Sequence, residues 1–321
     1  MTIGSAIEVS VLICTRNRPE ALAKALSTWR PVLEASRTGW ELLIVDNASD
    51  VDLRRVVEAA PVPARYIHCA RIGLGAARDN GWRHARGRIV AFTDDDCYPA
   101  PDFVDRVAEV FAEHPDTGCL GGRILLHNPD HAHVTIKESD TVETFAPCRY
   151  LKPGAIHGAN MAIPRRILEE VGGLDPELGA GTPFPCEDID VITAVLWAGH
   201  PARYDPRPTV RHDHGRSEAD RPALMRSYDM GRGAHYAKYA ARQDTRRAFL
   251  SAWWQRRRDT RWRSELPHVH QEAASALSYL AQKRHIAALC LVGPAIGLAL
   301  GVIHAKVTLH HLRHRLVSQR A

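Results

Sequence analysis

Short apolar runs that stop at polar loops recur along the first hundred residues. Residues 9–14 are apolar and end in Thr15-Arg16-Asn17-Arg18-Pro19, the pattern of a buried strand. Apolar positions at helical spacing follow over residues 20–29. Residues 40–45 repeat the strand pattern and end in Asp46-Asn47-Ala48-Ser49-Asp50. The pattern then predicts a short helix over 53–59, a third strand over 66–69 and a helix over 75–85. A fourth strand over 88–93 is stopped by Asp94-Asp95-Asp96, and residues 103–113 are helical.

Strands alternating with helices predict an α/β fold: an open, mostly parallel twisted sheet flanked by helices, with right-handed crossovers. Ligands of such sheets bind outside the carboxyl ends of the strands. Polar loops follow three of the predicted strands, so Asp46 and the run at 94–96 are expected to converge on one crevice. Residues 121–144 are less regular. A helix is predicted over 164–172 after Pro164, and a clearer one over 188–199 with Ile189, Ile192, Leu196 and Trp197 as its apolar stripe. Residues 209–212 suggest a last strand.

The pattern changes after residue 216, where arginines and aromatics, including Trp253, Trp254 and Trp262, become frequent. Residues 286–303 carry no formal charge but include Gly293, Pro294, Gly297 and Gly301, with basic residues on both sides. That length is at the lower edge of a membrane span. A single span, a re-entrant or interfacial helix and a helix packed on the domain all remain open. The division expected is 1–216 as one domain and 217–321 as a helical, basic and aromatic extension. Basic and aromatic residues together suit a membrane surface, a reading preferred here to nucleic acid.

Composition narrows the classes. With 45% hydrophobic and 25% charged residues, the 321-residue chain can bury a substantial core. A net charge of +5 suits an anionic ligand or surface without indicating nucleic acid. Seven cysteines, none in a C-x-x-C pair, exclude a disulfide framework or zinc ribbon and read as reduced, mostly buried thiols. Glu8 interrupts the first apolar run and no basic stretch precedes it, so no secretory leader is expected. A cytoplasmic location follows.

Three groups of residues could carry chemistry. Three adjacent carboxylates repel one another unless a cation is present, and a hard divalent ion bridging phosphates would relieve that cost. An isolated acidic triplet also reads as a solvated turn; its place directly after a buried strand favours the cation. Glu187-Asp188 opens a predicted helix, whose N-terminus keeps a carboxylate ionised, as a general base must be. His212-Asp213-His214 puts two imidazoles on one side of an extended segment. Arg16, Arg71 and Arg78 are candidates to neutralise phosphate oxygens.

Together these segments resemble the family 2 glycosyltransferases of the GT-A fold. Residues 9–18 resemble the family's first strand and nucleotide loop, and residues 41–49 its second strand, whose terminal Asp contacts the base. Residues 73–81 are similar to its G-x-x-x-A-R-N-x-G segment, with Asp79 where Asn is usual. Residues 92–96 resemble the D-x-D element, and Gly158-Ala159-Asn160 with Gly172-Gly173-Leu174-Asp175 the acceptor-side elements. Cys186-Glu187-Asp188 matches the E-D element, and His212 the late metal-binding histidine. Gly231-Arg232-Gly233, with Tyr228 and Tyr236, is similar to a helical segment of some members.

The resemblance covers residues 7 to 216 and implies an inverting, metal-dependent hexosyltransferase, one that serves cell-surface polysaccharide or glycolipid synthesis. It implies Asp188 as the base, and Asp96 and His212 as ligands of Mg2+ or Mn2+. Thr15, Arg16, Asp46, Arg71, Arg78, Asp95, Asn160 and Glu187 would bind substrate. The expected donor is a nucleotide sugar, UDP being the family's commonest carrier, with dTDP and GDP open. The acceptor would be a glycan or a lipid-linked molecule, met at the cytoplasmic face of a membrane by a peripheral or anchored enzyme. The alternative is a catalytically silent protein of the same fold that binds carbohydrate or nucleotide. A nucleotidyltransferase is disfavoured because its Gly-rich first loop is replaced here by Cys14-Thr15-Arg16-Asn17.

Overall fold

The computed structural model describes residues 6–259 and 266–283. The chain divides into two compact units, Met1–Leu224 and Met225–Ala321.

The first unit is built on one nine-stranded sheet. Its first half follows the predicted alternation of strands and helices: β1 (Val9–Thr15), α1 (Pro19–Thr28), α2 (Arg30–Ala35), β2 (Trp40–Asp46), α3 (Arg54–Glu58), β3 (Arg65–His68), α4 (Leu74–Arg83) and β4 (Ile89–Asp94). The four strands are parallel, in the spatial order β3-β2-β1-β4. Every β1 residue is buried, because helices cover both faces of the sheet. Val9, Val11 and Ile13 enter one core with Leu42, Ile44, Trp29 and Phe103. Leu12 and Cys14 point the other way, into a core with Leu43, Val45, Trp82 and Ile192. The two-residue period of a strand thus feeds two hydrophobic layers.

The second half departs from the prediction in its strands, while its helices at 103–113, 165–171 and 187–197 lie where helices were expected. It contains β5 (Cys97–Pro99), α5 (Phe103–Glu113), β6 (Cys119–Leu126), β7 (Glu143–Phe145), β8 (Asn160–Pro164), α6 (Arg165–Val171), α7 (Glu187–Trp197) and β9 (Ala202–His212). β8 lies antiparallel between β4 and β6; β9 is parallel to β6 and antiparallel to β5 and β7. The sheet is therefore mixed, and the mostly parallel description holds for residues 9–94. The segment read as irregular supplies β6 and β7. Its signal is weak because the β6–β9 register shifts between Gly121 and Arg123, and β9 carries Pro206 and Pro208, which break a strand pattern. In α7 the buried stripe is Val191, Ile192, Val195 and Leu196, with Ile189 and Trp197 only half-buried.

The second unit takes in most of α8 (Arg221–Ala241), together with α9 (Arg246–Asp259) and α10 (Leu266–Gln282). α8 and α10 touch backbone to backbone: a Cβ at Gly233 would lie 2.1 Å from the Glu272 carbonyl oxygen. Trp253, expected on a surface belt, is instead buried and donates from Nε1 to Glu272 Oε2 at 3.3 Å. Trp254 is exposed. Trp262 and the uncharged stretch 286–303 lie outside the described residues. Among the described residues no helix is long and apolar enough to cross a membrane.

Candidate active site

The register of the parallel strands assembles the crevice. Thr15 pairs with Asp46 across β1–β2, and Cys14 with Asp94 across β1–β4, so the loops after three strands open side by side. Asp46 is buried at the end of β2. It accepts a 2.6 Å hydrogen bond from the Tyr66 hydroxyl and a 2.9 Å bond from Ser49 N–H. Arg54 stacks on the Tyr66 ring at 4.4 Å. Arg16 is exposed with its Nε 3.4 Å from the Ala48 carbonyl oxygen. Arg71, also exposed, pairs loosely with Glu177 at 3.7 Å.

Asp95 and Asp96 occupy the floor. Thr15 donates to Asp95 Oδ2 at 2.6 Å. Arg18 grips both carboxylates, with Nη1 on Asp95 Oδ1 at 2.5 Å and Nη2 on Asp96 Oδ2 at 3.1 Å. Burial pushes the Asp95 carboxyl up to about 6 in spite of Arg18 and Thr15. Burial would raise Asp96 too, but His212 and Arg18 outweigh it and hold that carboxyl below the ordinary range. His212 moves the opposite way: burial opposes its charge, yet Asp96 raises it above the usual imidazole value. β5 brings His212 here, because Cys97 pairs with His212 across the β5–β9 ladder.

The other wall is tied on by Arg78. Its Nη2 binds Asp94 Oδ1 at 2.9 Å and the Gly158 carbonyl oxygen at 3.0 Å, while Nη1 binds Glu187 Oε1 at 3.1 Å. Arg78 was expected to meet phosphate, but its side chain is 2% exposed and its terminal nitrogens are held by protein oxygens. It is a buried brace between the end of β4 and the start of α7. The Glu187 carboxyl, expected at substrate, is buried beneath the surface on this brace, and burial lifts it to about 7 against the pull of Arg78. Asn160 is likewise buried, its amide nitrogen donating to the Arg123 and Pro208 carbonyl oxygens at 2.9 and 3.0 Å. That amide joins β8 to β6 and β9 rather than facing a ligand. Asp188 differs from these three. It is half-buried at the second position of α7, and its Oδ2 is fixed by Gly158 N–H at 3.0 Å.

A divalent cation fits this floor. Asp94, Asp96, Cys97 and His212 each offer a ligand atom, all within 4.8 Å of one another. Asp96 Oδ1 is buried without a hydrogen-bond partner, although His212 Nε2 lies 3.2 Å away. A buried carboxylate oxygen with no partner is costly, and a cation would satisfy it. Burial drives the Cys97 thiol well above its ordinary value, and a soft sulfur ligand does not suit a hard divalent ion. The donors left, carboxylate oxygens and one imidazole, suit Mg2+ or Mn2+. His214 is turned elsewhere, its Nδ1 accepting from Arg216 N–H at 3.0 Å.

Two residues of the crevice had no assigned role. Arg18 stands in the loop after β1, which must face the loop after β4 once those strands pair; that adjacency is the signal that could have found it. His157 lies in the irregular connection before β8, where the sequence carries no comparable signal. Burial lowers the affinity of its imidazole for a proton, opposed by the nearby Asp188.

Comparison with known proteins agrees with this geometry. The family model described as Glycosyl transferase family 2 matches residues 10–172. A glucosyl-dolichyl phosphate glucuronosyltransferase of Haloferax volcanii is 26% identical over 186 residues, which is 54% of this chain and 58% of that protein. The succinoglycan biosynthesis protein ExoM of Rhizobium meliloti is 27% identical over 211 residues, 64% of this chain and 67% of ExoM. The chain thus spans somewhat more than half of the first of these relatives. Among solved structures, the mannosyltransferase PcManGT of Pyrobaculum calidifontis, in complex with GDP-Man and Mn2+, superposes with a TM-score of 0.57 at 20% identity, covering 95% of this chain and 84% of that one. Residues 1–349 of S. aureus TarS, in complex with UDP-GlcNAc, give 0.57 at 15% identity, covering 85% and 81%. These likenesses establish the GT-A fold.

Proposed function

The chain belongs to glycosyl transferase family 2, and on that premise we propose that it is an inverting glycosyltransferase, moving a hexosyl group from a nucleoside diphosphate sugar to an acceptor hydroxyl. The observation that carries this reading is the contrast among its buried acids. Asp46, Asp95 and Glu187 are buried under protein donors, whereas Asp96 Oδ1 accepts no hydrogen bond and has only the His212 imidazole beside it, and Asp188, though it accepts from the Gly158 and Ile189 N–H groups, stays half-open at a helix start.

Asp46 and the loop at Thr15 and Arg16 would hold the nucleobase, with Arg71 beside them. Asp95 would accept hydrogen bonds from the ribose hydroxyls. Asp96 and His212, with Asp94 within reach, would hold Mg2+ or Mn2+, which when bound supplies positive charge to the diphosphate. Asp188 takes the proton from the acceptor hydroxyl. That oxygen forms the new bond to the anomeric carbon while the carbon–oxygen bond to the diphosphate breaks, leaving a nucleoside diphosphate and an inverted centre. The geometry parallels base-assisted attack in inverting glycosidases. Gly158 N–H fixes the Asp188 carboxylate for that task, and Arg78 holds Gly158 in place.

A UDP-sugar is the first donor to test, with GDP-sugars next, since the two neighbours hold UDP-GlcNAc and GDP-Man. The Haloferax and Rhizobium relatives are named for glucosyl-dolichyl phosphate and for succinoglycan biosynthesis, which supports a glycan or lipid-linked acceptor. We place the enzyme in the cytoplasm, at or near the inner membrane surface, with residues 1–216 as its catalytic domain.

Replacing Asp188 with Asn tests the assignment. Transfer should drop by about 10²–10⁴-fold, the usual contribution of a general base, while donor affinity in titration calorimetry stays within about threefold, since a base acting on the acceptor adds nothing to ground-state donor binding. Lost donor binding would move Asp188 to the donor site and sink its role as base.

A further inference from the structure

Arg18 occupies the position that a cation would claim. Its guanidinium bridges Asp95 and Asp96, while the side chain remains 46% exposed. No other described cation contacts Asp95, and on Asp96 only His212 joins it. The backbone beneath is anchored. Arg18 stands at the N-cap of α1, followed by Pro19, and its carbonyl oxygen accepts from Leu22 N–H at 2.9 Å. The side chain has no such anchor: it makes no capping bond, and its two ion pairs are its recorded contacts. A fixed backbone carrying a long, half-exposed cation describes a group that can leave and return without disturbing the fold.

Two adjacent carboxylates, both nearly buried, cannot stay ionised at close range without positive charge. A forked guanidinium can serve two carboxylates at once, which an ammonium cannot. A divalent ion on Asp96 would bring two more positive charges against Arg18, at distances where repulsion in a partly buried site is strong.

We infer that Arg18 is a tethered counter-cation: it closes the acidic crevice in the metal-free protein and competes with the divalent cation for Asp95 and Asp96. This rests on the cation site of the proposed function and adds a control to it. Cation entry requires Arg18 to release both carboxylates. A diphosphate arriving with the cation offers the released guanidinium a new anion, so cation and nucleotide bind cooperatively. The metal-free protein thereby avoids both bare carboxylates and a tightly held stray cation.

The test uses the full chain and Mn2+ alone, with the free Mn2+ signal followed by electron paramagnetic resonance. Removing the competitor in Arg18→Ala should tighten Mn2+ binding on the order of tenfold, the scale of one charge-assisted pair. Arg18→Lys, which keeps a charge but cannot hold both carboxylates, should fall between the two proteins. Should the alanine variant not fold, the lysine variant still carries the test. The Mn2+-induced rise in Tm should likewise be larger in the variants than in the native chain. Adding UDP or GDP should tighten Mn2+ binding more in the native protein than in Arg18→Ala. Equal or weaker Mn2+ binding by the variants, or no Mn2+ bound by any of the three proteins, overturns the proposal. Because the main readout needs neither donor nor turnover, its failure is separable from that of the transferase reading, which the Asp188 variant tests.

Discussion

Two of the places where this protein buries carboxylates beside arginines are built to opposite ends. In the helical unit, Glu272 and Asp229 are each 1% exposed. Glu272 Oε1 accepts from Arg232 Nε at 2.7 Å and from Arg256 Nε at 3.2 Å, and its other oxygen accepts from Trp253. Asp229 is held by Arg232 and His268. Every carboxylate oxygen there has a partner. In the crevice of the sheet unit, by contrast, Asp96 Oδ1 is buried without a hydrogen bond, its one neighbour the His212 imidazole at 3.2 Å, and its arginine stands half in solvent. Complete pairing between helices fixes a structure. Incomplete pairing at the mouth of a sheet leaves capacity for a ligand, at a standing electrostatic cost to the empty protein.

The sharpest way to break this comparison is to remove one acid from each place. Asp96→Ala should lower transfer by about 10³-fold or more, on the scale of losing a cation that stabilises a leaving diphosphate, with a much smaller loss of stability in urea denaturation than Glu272→Ala. Glu272→Ala should do the reverse, destabilising the fold by about 3–5 kcal/mol because two arginines lose their buried partner. If Asp96→Ala unfolds the protein, or if Glu272→Ala is silent in denaturation, the distinction fails.

A smaller effect tests the tightness of the helical network. Gly233→Ala would drive a methyl group onto the Glu272 backbone. It should cost about 1–3 kcal/mol through overpacking, read as a lower denaturation midpoint with an unchanged slope.

The smallest effect is a pH dependence confined to the crevice. Asp95 is raised to about 6 by burial. A carboxyl raised in the folded state gives stability that is full below its unfolded value and is lost as pH rises through the folded one. The metal-free protein should therefore lose a little stability between the ordinary carboxylate range and about pH 6, and Asp95→Asn should flatten that part of the profile. Donor binding should follow the opposite slope, weakening as pH falls through about 6, because a protonated Asp95 accepts fewer bonds from a ribose. A stability profile identical in Asp95→Asn would assign the titration to another group.

The first half of the fold was legible because parallel strands buried on both faces read as continuous apolar runs, as at residues 9–14 and 40–45. Their polar ends put Asp46 and the acidic run in one crevice. In the second half the helices were legible and most of the strands were not. β6, β8 and β9 are interrupted or flanked by glycine and proline, and their pairings, antiparallel for β8 and parallel for β6 with β9, join residues far apart along the chain. Within the site, residue type alone could not separate Asp188, left half-open, from its neighbour Glu187, buried on Arg78.

The alternating strands and helices of the first half, the crevice at the strand ends and the chemical types gathered there were written into the local pattern of the sequence, because hydrophobic period and loop polarity act over a few residues. Which side chains face a ligand and which brace the wall depended on contacts 16 to 109 residues apart, such as Arg78 with Asp94 and Glu187. Burial and partner count decide whether an acid or an arginine is free to act, and both are properties of the packed molecule rather than of any segment.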